Sequence, residues 1–116
     1  FAKGCSTWTN LSELNAKESK RLDWSLKILK MIGVKTKKIG NHGIKIWGQP
    51  KLKLNKNYEV KNYLKDHRIF MSNAVLALSK LSHKGSFKIH DPDAVKSSFP
   101  SFFKMLNYLG AKYELK

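Results

Sequence analysis

Short segments typical of β-strands alternate along this chain with longer apolar segments of helical periodicity, and this alternation restricts the fold that the chain can adopt. The strand-like segments are rich in β-branched and aromatic residues and lie at 5–9, 34–39, 44–47, 58–62, 86–90 and 113–115. Three helices are predicted between them, from residue 15 or 19 to Gly33, from His67 to about Leu81, and from Pro100 to Gly110. This order favours an α/β (α+β) fold, with helices packed on sheet, over a helical bundle.

Local signals mark the ends of these elements. Asn15 with Glu18 three residues later, or Ser19 itself, is expected to cap the first helix. Asp66 is expected to cap the second helix in the same way. The segment 40–43, Gly-Asn-His-Gly, indicates a hairpin between the strands on either side of it.

The helical segments also predict where the core lies. The second helix has almost no polar face, so it is expected to be buried on most sides. Its apolar residues are Ile69, Phe70, Met71, Ala74, Val75, Leu76, Ala77 and Leu78. The third helix is expected to turn four apolar residues inward, namely Phe102, Phe103, Leu106 and Leu109.

Length and composition exclude several classes of protein. With 116 residues, 41% of them hydrophobic, the chain can bury one modest core and is either one domain or a piece of a larger one. It contains no apolar run near the roughly 20 residues that a membrane helix requires. The single cysteine, Cys5, excludes an internal disulfide framework, and the histidines His42, His83 and His90 have no ligand spacing, so no metal site is predicted.

Arginine is rare in this basic chain. Only Arg21 and Arg68 are arginine among the 23 basic residues. A guanidinium grips a carboxylate or phosphate with two parallel hydrogen bonds, which an ammonium cannot do. Each arginine lies at a predicted helix start, with Lys17 or His67 nearby, and in a β-α-β topology the two groups are expected to converge at one end of the sheet. Together with Glu18, they predict a small-anion site.

The formal charge of +15 also suggests a nucleic-acid-binding domain as an alternative. Such a domain needs a basic stripe with aromatic platforms. The lysines are instead spread over the whole length, and Trp24, Phe70, Phe102 and Phe103 lie in predicted helices with core-like patterns. No specific nucleic-acid partner is therefore expected.

Four strings resemble, in order and spacing, the C-terminal part of the 5-enolpyruvylshikimate-3-phosphate (EPSP) synthase family. They are KESKR at 17–21, DHRIFMSNAV at 66–75, DPDAVKSSFPSFF at 91–103 and LGAKYEL at 109–115, and the initial FAKG also looks like the family. The resemblance implies that the chain is about the last quarter of such an enzyme. It implies β-α-β-α-β-β units with helices packed on a mixed sheet, where about 1–48 ends one repeat unit of a domain and about 57–116 forms its final unit.

What the resemblance implies about function is a transferase of the shikimate pathway, which serves aromatic amino acid biosynthesis. Such an enzyme moves the enolpyruvyl group of phosphoenolpyruvate to the 5-hydroxyl of shikimate 3-phosphate and releases phosphate. The implied enzyme is a cytoplasmic bacterial monomer that needs no cofactor and has no membrane partner. The related enolpyruvyl transferase that acts on a UDP-sugar is the alternative within enzymes, but the spacing of KESKR and DHR favours the shikimate enzyme.

Carried over by position, the family motifs imply roles for individual residues. Lys17 matches the lysine near the shikimate hydroxyl, and Glu18 matches the acid associated with proton exchange at the enolpyruvyl methylene. Arg21 and Arg68 match the arginines that hold phosphoenolpyruvate, and His67 matches a histidine beside that site.

Two positions depart from the family pattern. Lys20 stands where the family commonly has aspartate, which reverses a charge at the start of the first helix. A lysine that contacts phosphoenolpyruvate in one branch aligns with Ser97, so Lys96, one position early, is kept only as a further candidate. The more glyphosate-tolerant bacterial branch also lacks that lysine, and LGAKYEL resembles that branch.

The resemblance also implies that this chain is catalytically incomplete. The candidate base for the shikimate hydroxyl, the serines that hold the shikimate phosphate, and the cations of the opposite domain lie upstream of Phe1 in the family. The remainder of the enzyme is therefore an expected partner, and the 116 residues alone are expected to be inactive.

Overall fold

The chain folds into two compact units, Phe1–Leu54 and Asn55–Lys116. The computed structural model describes residues 2–79 and 84–116. In chain order the strands and helices are β1 Cys5–Trp8, α1 Arg21–Met31, β2 Thr36–Ile39, β3 Gly43–Trp47, β4 Asn57–Val60, α2 His67–Ala77, β5 Ser86–Ile89 and α3 Phe102–Tyr108. Short 3-10 helices lie at Ser12–Ala16 and Pro92–Val95. The predicted α/β class is confirmed.

The first unit is a three-stranded antiparallel sheet with α1 packed on it. The strand order is β1-β3-β2, so β3 is central, and Ile46 lies opposite both Ser6 and Thr36. The predicted hairpin between β2 and β3 is confirmed by their antiparallel pairing. The buried side chains of Leu22 and Ile44, 0% and 5% exposed, contribute to the core.

The second unit is built around a parallel pair of strands. In it β4 pairs with β5, with Tyr58 opposite Phe87 and Val60 opposite Ile89. A parallel connection requires a crossover, which the chain between 60 and 86 supplies through α2. The expected mixed sheet is not found among the described residues, where the strands form two sheets, one antiparallel and one parallel.

Aromatic side chains form much of the core of the second unit. Phe70 of α2 contacts Phe102 and Phe103 edge-on, with ring centroids 6.3 Å and 5.9 Å away. The ring of Tyr58 lies 4.7 Å from that of Phe87 on the neighbouring strand. The first two contacts join α2 to α3, and the third joins the two parallel strands.

The predicted burial of α2 is wrong for part of the helix. The buried residues of α2 are Ile69, Phe70, Asn73 and Ala74. Val75 is 59% exposed, and Leu78, just after the helix, is 40% exposed. α2 therefore buries one face, because β5 and the segment Pro92–Val95 contact it. The predicted end near Leu81 lies outside the described residues, and α2 ends at Ala77.

The C-terminal segment also differs from expectation. No strand forms over the predicted 113–115. The Tyr113 hydroxyl instead donates to the carbonyl of Phe103, and the Ala111 N–H donates to the carbonyl of Leu106. The segment therefore folds back along α3. Leu109, which follows the last turn of α3, is 68% exposed rather than turned inward.

Candidate anion-binding site

The start of α1 is held by a side chain from outside the helix. The side-chain oxygen of Asn15 accepts hydrogen bonds from the backbone N–H groups of Leu22 and Asp23, at 3.0 Å and 3.3 Å. Lys20 occupies the N-cap position and makes no side-chain capping bond. Asn15 thus supplies an acceptor to the first turn, but from seven residues away and not as the N-cap. The predicted helix start at residue 15 or 19 is wrong, because the helix begins at Arg21 and neither Asn15 nor Ser19 is its N-cap.

Arg21 is the first residue of α1 and lies against Glu18. The Arg21 guanidinium forms an ion pair with the Glu18 carboxylate. Only 12% of the Arg21 side chain is exposed, whereas 56% of the Glu18 side chain is. The arginine is therefore held in a defined position by a carboxylate that solvent can reach. Lys17, also exposed, is the residue before Glu18, so the three predicted site residues of this unit form one group.

The charge reversal at Lys20 is accompanied by an acid one turn further on. Asp23 lies in the first turn of α1, where a negative charge favours the helix dipole. Its carboxylate accepts a hydrogen bond from Lys38 of β2 at 2.7 Å. The hydrogen bond from the Lys38 ammonium is the largest cause lowering the pKa of Asp23. A hydrogen bond between Asp23 and the Asn15 side chain and the charge of Lys20 also lower this pKa.

The start of α2 has the cap that the sequence predicts. Asp66 is 1% exposed, and its carboxylate accepts the backbone N–H of Arg68 at 3.0 Å. The Asp66 N–H in turn donates to the carbonyl of Tyr63 at 3.1 Å. His67 and Arg68 therefore lie in the first turn of a firmly capped helix, where unsatisfied N–H groups favour anions.

Arg68 differs from Arg21 in its surroundings. Arg68 is exposed, and His67 is half-buried. Across residues 2–79 and 84–116, no carboxylate lies within ion-pair distance of the Arg68 guanidinium. Its donor fork is therefore open to an incoming carboxylate or phosphate.

Lys96 directly follows the 3-10 helix Pro92–Val95. The Lys96 side chain is exposed. Asp93 is paired with Lys65 at 3.3 Å, and this hydrogen bond is the largest cause lowering the pKa of Asp93. Lys96 adds a smaller effect in the same direction.

The structure thus gathers the predicted site residues into two groups. Lys17, Glu18 and Arg21 lie together in the first unit. His67 and Arg68 lie together in the second unit, which also contains Lys96. The convergence of the two groups on one anion stays a prediction.

One residue beside the site has no local sequence signal. Tyr63 is fully buried, and its hydroxyl donates to the carbonyl of His90, 27 residues further on. In the sequence it is only a tyrosine in a polar segment. Its contact depends on the pairing of β4 with β5 and was not predicted.

Within the described ranges, no helix is both long and apolar enough to cross a membrane.

The same part of the chain contains no group of three or more His, Cys, Asp or Glu side chains that could hold a metal ion. His42 is exposed, His90 pairs with Glu59 at 2.8 Å, and His83 lies outside the described residues.

Comparison with known proteins identifies the family. The sequence model of EPSP synthase (3-phosphoshikimate 1-carboxyvinyltransferase) matches residues 1–106. The chain belongs to the EPSP synthase family. This confirms the resemblance read from the motifs. The comparisons do not support the nucleic-acid-binding or UDP-sugar alternatives, and Phe70 and Phe102, 4% and 2% exposed, are core residues rather than platforms.

Relatives in the EPSP synthase family are much longer than this chain. It is 40% identical over 114 residues to a 3-phosphoshikimate 1-carboxyvinyltransferase of Campylobacter jejuni subsp. doylei. The matched residues are 98% of this chain and 24% of the relative. A relative from Caldicellulosiruptor bescii is 36% identical over 107 residues, or 91% of this chain and 23% of the relative. The EPSP synthase structure from Acinetobacter baumannii matches with a TM-score of 0.72 and 30% identity, over 92% of this chain and 24% of that one. The chain therefore spans about a quarter of the length of these EPSP synthases.

Proposed function

We propose that this chain is the phosphoenolpyruvate-binding quarter of an enzyme that transfers the enolpyruvyl group to the 5-hydroxyl of shikimate 3-phosphate. The observation that carries the proposal is the placement of the two arginines. Each lies in the first turn of a helix, within a motif of the EPSP synthase family, in a chain that otherwise uses lysine. An arginine fork at a helix start suits the carboxylate and phosphate of phosphoenolpyruvate.

The reaction joins the 5-hydroxyl oxygen to C2 of phosphoenolpyruvate while the methylene carbon takes a proton. The tetrahedral intermediate then loses phosphate and one methyl proton, which restores the double bond. This sequence needs a proton carrier at the methylene, a base at the hydroxyl, and cations for the carboxylate and phosphate. We assign the methylene proton to Glu18, the position near the hydroxyl to Lys17, and the anion contacts to Arg21 and Arg68.

The two arginines have different surroundings. Arg21 is mostly buried and already oriented by Glu18, so its guanidinium is held in place before a substrate binds. Arg68 is exposed and has no carboxylate partner among the described residues, so its guanidinium is available to an incoming anion. His67 stands beside Arg68, and Lys96 remains a further candidate cation in the same unit.

The proposal includes the setting of the enzyme. The remainder of the EPSP synthase polypeptide is the partner of this chain, and the complete enzyme is a monomer in the bacterial cytoplasm, without a cofactor. The 116 residues alone are expected to show no turnover, because they correspond to about a quarter of each relative.

A chimeric enzyme tests the function. This chain would replace the matching segment of the Campylobacter jejuni subsp. doylei relative, and phosphate release would be measured with both substrates. We expect turnover that requires phosphoenolpyruvate and shikimate 3-phosphate together, and none from the isolated chain. A folded chimera without activity would refute the proposal.

Conservative variants of the chimera test the two arginines. Arg21→Lys and Arg68→Lys keep the charge but remove the fork. Hydrogen bonds to charged groups are worth about 1.5–3 kcal/mol, so each variant should raise KM for phosphoenolpyruvate roughly 10- to 100-fold. Lys112→Ala, which removes an exposed cation of the second unit, is the control and should leave KM unchanged. The same KM for phosphoenolpyruvate in Arg21→Lys, Arg68→Lys and Lys112→Ala would contradict the assignment.

A further inference from the structure

Tyr63 links two loops of the second unit through its buried side chain. It is 0% exposed and lies in the loop between β4 and α2. Its hydroxyl donates to the carbonyl of His90 and lies 3.4 Å from the carbonyl of Asp91. Both acceptors belong to the loop that follows β5.

The two loops leave the sheet at the same edge, because β4 and β5 are parallel. The first loop leads to Asp66 and Arg68, and the second leads to the 3-10 helix that precedes Lys96. Within its own loop, the Tyr63 carbonyl accepts the Asp66 N–H at 3.1 Å. One residue therefore connects the capping residue of α2 to the turn after β5.

Both loops contain backbone conformations that need such support. Asn62, Leu64, Lys65 and Asp91 have positive φ angles of 61°, 55°, 53° and 56°. Residues other than glycine are disfavoured in this region and stay there only when their surroundings hold them. Tyr63 lies within the first group of these residues and contacts the carbonyl of the last.

A second link between the loops is weaker. Lys65 and Asp93 form an ion pair at 3.3 Å, but their side chains are 61% and 47% exposed. Exposed pairs contribute little, whereas a buried hydrogen bond is shielded from competing water. Burial also raises the pKa of Tyr63, with the charge of Asp91 as the next cause, so its hydroxyl remains a donor at neutral pH.

We infer that Tyr63 is a positioning residue for phosphoenolpyruvate. It ties the start of α2 to the loop after β5 and thereby fixes the position of Arg68. The inference rests on the proposed function, because it assigns Arg68 to that substrate. A displacement of about 1 Å in a positioned group can reduce catalysis as much as 100-fold. Loss of the Tyr63 hydroxyl should therefore affect the use of phosphoenolpyruvate more than the fold.

The test compares two tyrosines in the chimeric enzyme. Tyr63→Phe removes the hydroxyl and keeps the ring, and Tyr113→Phe is the matched control, since its hydroxyl also donates to a backbone carbonyl, at 3.1 Å. We expect Tyr63→Phe to raise KM for phosphoenolpyruvate about 10-fold, with KM for shikimate 3-phosphate unchanged. Tyr113→Phe should leave both KM values unchanged. Equal effects of the two variants would overturn the inference.

The Arg68→Lys background adds a second criterion. If Tyr63 acts through Arg68, the effects of Tyr63→Phe and Arg68→Lys on KM should not multiply. Fully multiplicative effects would mean that Tyr63 acts elsewhere and would refute the positioning role.

Amide hydrogen exchange in the 116-residue chain provides a readout independent of activity. The Arg68 N–H bonds to Asp66 and the Ala94 N–H bonds to Asp91, so each reports on one loop. Tyr63→Phe should accelerate exchange at both amides, and Tyr113→Phe at neither. Unchanged exchange in Tyr63→Phe would overturn the inference even if the chimera were inactive. An inactive, folded parent chimera with faster exchange in Tyr63→Phe would retain the link between the loops but refute its role toward phosphoenolpyruvate.

Discussion

Replacement of Asp66 by alanine should destabilise the start of α2, the element on which the proposed role of Arg68 depends. The Asp66 carboxylate accepts the Arg68 N–H at 3.0 Å, and alanine cannot. Removal of an N-cap acceptor costs about 0.5–2 kcal/mol. Asp66 is 1% exposed, so water does not readily replace the lost acceptor, and the upper half of that range is expected.

This loss is large enough to measure by thermal unfolding. For a folding unit the size of Asn55–Lys116, each 1 kcal/mol lowers Tm by about 4–8 °C. Circular dichroism of the 116-residue chain should therefore show Tm lower in Asp66→Ala by at least about 4 °C. The backbone bond from residue 66 to Tyr63 remains possible in the variant, so the difference reports mainly on the side chain.

Asparagine at the same position is the control. Asn caps helices about as well as Asp, so Asp66→Asn should retain most of the stability. If Asp66→Ala had the same Tm as the wild type, the cap would contribute nothing to stability. If Asp66→Asn were as unstable as Asp66→Ala, the carboxylate charge rather than the acceptor would be the stabilising feature. Either result would refute the reasoning.

Three further predictions concern stability. Phe102→Ala should cost about 3–5 kcal/mol, whereas Leu109→Ala, at a residue 68% exposed, should stay within about 0.5 kcal/mol of the wild type in denaturant titrations. Asn15→Ala removes the acceptor of two N–H groups of α1 and should lower stability by about 1 kcal/mol, seen as a lower denaturant midpoint with an unchanged slope. The Lys38 ammonium lowers the pKa of Asp23 below its ordinary 3.8, so their pair stabilises the fold above that pH and loses this effect as pH falls through the lowered value. The Tm difference between wild type and Asp23→Asn should accordingly be present near neutral pH and vanish in acid, and a constant difference would contradict the pairing.

Features that depend on near neighbours along the chain were predicted from the sequence. Asp66 caps α2 through a residue two positions away, and the hairpin between β2 and β3 follows from the turn residues at 40–43. The two arginines were found because their residue type is rare in this chain, and both occur at helix starts. These features need no knowledge of distant segments.

The amino-acid sequence by itself determined the fold class, the family and the residues proposed to bind phosphoenolpyruvate, because periodicity, caps and motif spacing are local properties. Only the tertiary structure decided that Val75 and Leu109 are exposed, since helical periodicity shows an apolar face but not what covers it. It likewise decided that Asn15 reaches α1 across seven residues and that Tyr63 reaches the loop after β5 across 27. The Tyr63 contact arises because the pairing of β4 with β5 brings two distant loops together, and the Asn15 contact arises because the chain turns between residue 15 and the start of α1. No local pattern specifies either contact.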